Sequence, residues 1–131
     1  MKTFSWGRRK PQQGPAQRPV PRREYLPGER EALLIGILLG TDTDVRLDEQ
    51  YDAASDLAAF PSDAVVAALA RTAGDPAQPD ETLVDLCAES IAEIWIHRGA
   101  VDHDLLARLT PRGRREAERT VAHRAPELLA R

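Results

Sequence analysis

The residues of this 131-residue chain best suited to chemistry are few and scattered. Asp42-Thr43-Asp44 sets two carboxylates around one residue directly after an apolar run, a spacing that could open a calcium loop. The calcium reading lacks the glycine required at the sixth position, where Leu47 stands, and a correctly placed closing carboxylate. His97, His103 and His123 are the histidines, and no two are three or four residues apart as helical metal ligands would be. His97 falls near a predicted helix end, where it can meet the carbonyl end of the helix dipole. Cys87 lies on an apolar stripe and reads as a small core residue rather than a nucleophile. Ser55, Ser62 and Ser90 have no flanking glycine elbow, so no triad can be built on them. No catalytic, cofactor-binding or metal residue is therefore expected, no cofactor is implied, and neither an enzyme nor a small-molecule substrate is indicated.

Charge carries more information than these side chains. The formal net charge is −3, but it is segregated along the chain. Residues 1–30 hold eight Lys or Arg against two Glu, residues 42–104 hold fifteen acids against three Arg, and residues 105–131 hold seven Arg against three Glu. A basic start, an acidic middle and a basic end follow. One cysteine allows no internal disulfide, no apolar leader is visible after Met1, and the longest apolar run, Ala32-Leu33-Leu34-Ile35-Gly36-Ile37-Leu38-Leu39, is too short to cross a bilayer. A cytoplasmic protein that does not enter the membrane is the expectation.

The elements that must position these charges are helices. Residues 1–28 contain five of the ten prolines among Gly, Gln and Arg, and are read as a basic, flexible tail. The rest, 29–131, is read as one all-helical domain. The Ala, Leu and Ile content of residues 29–39 predicts a buried helix closed by Gly40. Leu47, Tyr51, Ala54, Leu57 and Ala58 recur at helical spacing up to Pro61. Ser62 caps a third helix that Gly74-Asp75-Pro76 ends. In the fourth, Leu83, Leu86, Cys87, Ser90, Ile91, Ile94 and Trp95 form one stripe, with Trp95 read as core, while Glu81, Asp85, Glu89 and Glu93 line another. Asp102 starts a short fifth helix, and Thr110-Pro111 caps a sixth running toward His123. No alternating apolar pattern long enough for a strand is present.

Shifting the sequence by 34 positions aligns Gly40 with Gly74, Ala54 with Ala88, Leu57 with Ile91, Ala58 with Ala92, Phe60 with Ile94 and Ile35 with Leu69. A period of this size suits stacked helical hairpins. The stretch Pro79-Asp80-Glu81-Thr82-Leu83-Val84-Asp85-Leu86-Cys87-Ala88-Glu89-Ser90-Ile91 resembles the second helix of HEAT-type repeats, the likeness being best over residues 62–98. It departs from that family at Val84, where arginine is usual, and at Ala53-Ala54, about one turn late. The resemblance implies a short right-handed α-solenoid of about three hairpins, commonly a binding scaffold. Asp42-Thr43-Asp44 resembles the first motif of haloacid-dehalogenase-like phosphatases but departs from it at Arg46 and at the interrupting Gly40-Thr41, with Lys2 and Lys10 the only lysines; it is read as a polar interhelical loop with capping aspartates.

The expected function is therefore a non-catalytic protein-interaction module. Acidic helix faces carrying Asp48, Glu49, Asp52, Asp56, Asp85, Glu89 and Glu93 would receive a basic protein, as an inhibitor or immunity-type protein or an adaptor would. Phe4 and Trp6 sit in a segment with no core to enter, and with Arg8 and Arg9 they are expected to dock on a partner or back on the domain. The alternative is nucleic-acid association through Arg8, Arg9, Lys10, Arg18, Arg22 and Arg23 together with Arg112, Arg114, Arg115 and Arg119 on the last helix. The acidic middle opposes it.

Overall fold

The computed structural model describes residues 25–41 and 44–131. The tail residues Phe4, Trp6, Arg8 and Arg9, and Asp42 and Thr43 of the polar loop, lie outside the described residues. The described chain is all-α: α1 Glu29–Leu39, α2 Leu47–Asp56, α3 Asp63–Ala73, α4 Glu81–Arg98, α5 His103–Arg108 and α6 Pro111–Arg124. Short 3-10 turns at Leu57–Ala59 and Pro126–Ala130 extend α2 and follow α6. No strand occurs among the described residues.

Local chemistry sets most of the boundaries. The side chains of Ser62, Asp80, Asp102 and Thr110 accept hydrogen bonds from the backbone N–H of Val65, Leu83, Leu105 and Gly113 at 3.2, 2.9, 3.0 and 3.1 Å. Each satisfies a donor that the helix itself leaves unpaired, a contribution of about 1 kcal/mol apiece. Gly40 ends α1 at φ 67°, where a side chain would be strained, and its N–H returns to Gly36 O and Ile37 O.

The core forms around α4, the longest helix, which packs against α2, α3 and α6, while α1 packs against α2 and α3. Nine of the eighteen residues of α4 are buried, including Leu83, Val84, Cys87, Ile91, Ile94 and Trp95. With neighbours on three sides, the helix exposes Glu81, Thr82, Glu89, His97 and Arg98 and keeps Asp85 and Glu93 half-buried. Small residues let α2 approach: Ala54 and Ala88 are fully buried, and Ser90 donates its hydroxyl to Ala54 O at 2.6 Å. Tyr51 on α2 donates to both carboxylate oxygens of Asp80, at 2.8 and 3.0 Å, and so grips the residue that caps α4.

Among the residues related by 34 positions, Ala54 and Ala88, and Leu57 and Ile91, are all completely buried, whereas Ile35, Ala58 and Phe60 are partly buried where Leu69, Ala92 and Ile94 are completely so. Gly40 and Gly74 both terminate helices but for separate reasons. Gly40 is left-handed, whereas Gly74 sits at φ −102°, and a Cβ there would lie 2.8 Å from Ala70 O and 3.2 Å from Arg108 O. It is close approach that requires glycine at the second position.

That approach continues into a clamp between α3 and α6. Ala73 O accepts from both the N–H and the hydroxyl of Thr110, each at 3.1 Å. Gly113, in the first turn of α6, leaves room for this carbonyl, since a Cβ would stand 2.8 Å from it. The clamp fixes where the arginines of α6 lie relative to α4.

Candidate functional site

The acids expected to meet a partner fall on two helices with different surroundings. On α4, Asp85 takes a bidentate contact from Arg112 of α6, both bonds 2.8 Å, and the same guanidinium stands 3.4 Å from Glu81. Those carboxylates raise the Arg112 pKa, the hydrogen bond to Asp85 foremost. Glu93 is paired with Arg124 at the other end of α6. Glu89 lies between them, exposed and in no ion pair among the described residues, within the field of Arg119, whose direct partner is Glu116 at 2.6 Å. The acidic line of α4 is thus largely met by an arginine line on α6.

On α2 the acids are more exposed. Asp48 pairs with Arg46, its own neighbour before the helix, at 3.1 Å, and that hydrogen bond holds its carboxyl below the usual aspartate range. Glu49 accepts from the Arg46 N–H at 2.9 Å and helps cap α2. Asp56 is 3.8 Å from Arg30 of α1. Asp52 is exposed and forms no ion pair among the described residues. Asp52 and Asp56, four residues apart, share one face of α2.

Between the ends of α2, α4 and α6 lies an open groove of about 760 Å³ lined by Arg30, Asp56, Glu93, His97 and Arg124 among others. Its charges alternate, and Arg30 also stacks over Phe60, 5.7 Å from the ring centroid. Such a mixed, open lining does not converge on a reacting atom.

The residues considered for catalysis or metal binding fall in separate places. Cys87 is fully buried, and burial pushes its thiol up to about 12. Ser90 is committed to Ala54 O, and Ser62 caps α3 while donating to Glu31 at 2.9 Å. Trp95 is core, 1% exposed. His97, His103 and His123 are all exposed, and His103 bonds the terminal Arg131 carbonyl at 2.9 Å. Asp44, the described aspartate of the polar loop, is exposed at φ 70°. No group of three or more His, Cys, Asp or Glu placed to hold a metal ion occurs among the described residues, and none of their helices is long and apolar enough to cross a membrane.

Of the arginines expected to form a basic patch on the last helix, Arg112 instead pairs with α4, and Arg114 and Arg119 pair with Glu118 and Glu116 of their own helix. A signal for the contact lies in the spacing: Arg112 and Arg124 are twelve residues apart, as Glu81 and Glu93 are. No family model, no curated protein and no solved structure matches the chain.

Proposed function

We propose that this chain is a non-catalytic protein-interaction module whose α2 face receives a basic protein partner. The observation that carries the reading is the exposure of the α2 acids. Asp85 and Glu93, paired with α6, are 31% and 37% exposed, whereas Asp48 and Asp56 stay 68% and 51% exposed within their pairs, and Asp52 is exposed without an ion pair among the described residues. Exposed carboxylates on one helix face attract a cationic surface and speed its encounter. An inhibitor or immunity-type protein for a basic target, or an adaptor, fits this chemistry.

The packing order supports a HEAT-like reading of the scaffold. With α2, α4 and α6 adjacent in one row and α1 against α3 in another, these helices meet the next-but-one in sequence, as stacked hairpins would, α5 excepted. A right-handed solenoid of about three hairpins is the form proposed. Nucleic-acid association ranks second, because Arg112, Arg119 and Arg124 already face carboxylates.

The test is affinity capture from the source cell at low and high salt, beside a full-length Asp52→Asn, Asp56→Asn protein. Basic proteins should be captured at low salt, released at high salt, and bound more slowly by the variant, the loss appearing in the association rate. Partners that are uncharged or acidic, bound regardless of salt, would overturn the proposal.

A further inference from the structure

The exposed large apolar side chains of the described residues are Tyr25, Leu26, Leu33 and Leu47, all within or beside the first two helices. Leu26 is 74% exposed and Leu33 39%. Arg30, three residues before Leu33, reaches Asp56 of α2, so this flank of α1 is the one turned toward α2. Gln50 of α2 bonding Leu38 O at 2.9 Å shows that the two helices run antiparallel. Leu33, one turn along α1 from Arg30, and Asp52, one turn along α2 from Asp56, therefore fall on the same flank of the first hairpin. Exposed leucines and exposed carboxylates share that flank, Asp56 in an exposed pair with Arg30 and Asp52 in no ion pair among the described residues.

A ligand for such a surface needs apolar anchors next to positive charge, and the chain carries one. Phe4-Ser5-Trp6-Gly7-Arg8-Arg9-Lys10 places two aromatic residues directly before three cations. Residues 1–24 hold seven Lys or Arg against one Glu, and they enter the described structure at Tyr25 and Leu26, at the end of this same strip. The fourteen residues from 11 to 24 can span roughly 45–50 Å when extended, about three times the ~16 Å length of α1. Phe4 and Trp6 together offer roughly 300–500 Å² to bury, a match for a patch of a few leucines. A stable interface between two copies needs about 800 Å² from each. Tethering also supplies an effective concentration in the millimolar range, which a free partner rarely reaches.

We infer that residues 4–10 dock in cis on the α1–α2 flank, Phe4 and Trp6 on Leu26 and Leu33 and the Arg8-Arg9-Lys10 cluster against Asp52 and Asp56, as an internal competitor for the basic partner. The inference deepens the proposed function by naming how the acidic face is regulated. Its readout contains no partner, so its failure is separable from failure of that reading.

The experiment is acrylamide quenching of Trp6 in the full-length protein. The other tryptophan, Trp95, is buried, and a Trp6→Phe protein supplies its baseline. Trp6 should be quenched several-fold less than in a free peptide of residues 1–24, independently of protein concentration. Leu33→Ser should restore the exposure of the free peptide, with helicity and Trp95 emission unchanged. Replacing Arg8, Arg9 and Lys10 by Gln should act in the same direction, and this change cannot disturb the helical core. Quenching of Trp6 as fast as in the free peptide, or shielding indifferent to both variants, overturns the inference. Shielding that grows with protein concentration also overturns it, assigning the strip to a second copy.

Discussion

Replacing Gly113 by Ala puts opposing physical effects in direct competition. Gly113 lies in the first turn of α6 with ordinary helical backbone, and on propensity alone alanine would stabilise the helix by up to about 1 kcal/mol. Tertiary packing works the other way. The added Cβ would stand 2.8 Å from Ala73 O, a backbone atom that cannot swing aside, and 3.3 Å from the Thr110 hydroxyl. Relieving the clash moves α6 off α3, and both Thr110 bonds to Ala73 O, at 3.1 Å, lengthen with it. Overpacking of about 1–3 kcal/mol and two weakened hydrogen bonds of about 1 kcal/mol each outweigh the propensity gain, for a net loss of about 2–4 kcal/mol. For a folded region of this size the midpoint should fall by about 4–8 °C per kcal/mol. Thermal and urea unfolding followed by circular dichroism measure it. A Gly113→Ala protein with a raised midpoint would refute the clamp, since the sign itself separates free helix from close approach.

Other expectations follow from the same contacts. Ser90→Ala should cost about 1 kcal/mol by removing the bond to Ala54 O, and Ser90→Leu about 3 kcal/mol or more by forcing α2 from α4; equal urea midpoints for the two would contradict the close α2–α4 contact. Cys87 should resist a thiol reagent in the native state and react at a rate set by unfolding; prompt labelling at neutral pH would show that the site is open. Because burial raises this thiol from 9.0 to about 12, the folded state holds its proton more tightly than the unfolded chain. The resulting stabilisation is complete below pH 9 and fades as pH climbs toward 12, so Cys87→Ala should flatten the alkaline arm of the stability profile, and an unchanged arm would count against it. Arg112→Ala should leave Glu81 and Asp85 uncompensated and speed association with a cationic peptide such as oligoarginine at low salt; an unchanged association rate would show that this pair does not govern the acidic field.

The helices were legible in the residues alone. Gly40 and Gly99, the Ser62, Asp80, Asp102 and Thr110 caps, and the prolines after Phe60 and Asp75 act through bonds within a few residues, so their effect is readable without knowing the fold. Burial of Cys87 and Trp95 was legible for the same reason, because helical periodicity puts both on one stripe. The turn at Pro126–Ala130 was not legible, since no apolar period marks it. Tertiary structure alone decided which charges remain available. Glu81, Asp85, Glu89 and Glu93 read as one acidic ladder, but whether it faces solvent or arginine depends on where α6 lies, and that is fixed by Thr110 and Gly113 meeting Ala73 nearly forty residues away. Charge is a property of the residue, whereas compensation is a property of distance. Only the folded chain sets the distances that leave Asp52 without an ion pair among the described residues and bring Arg112 to Asp85.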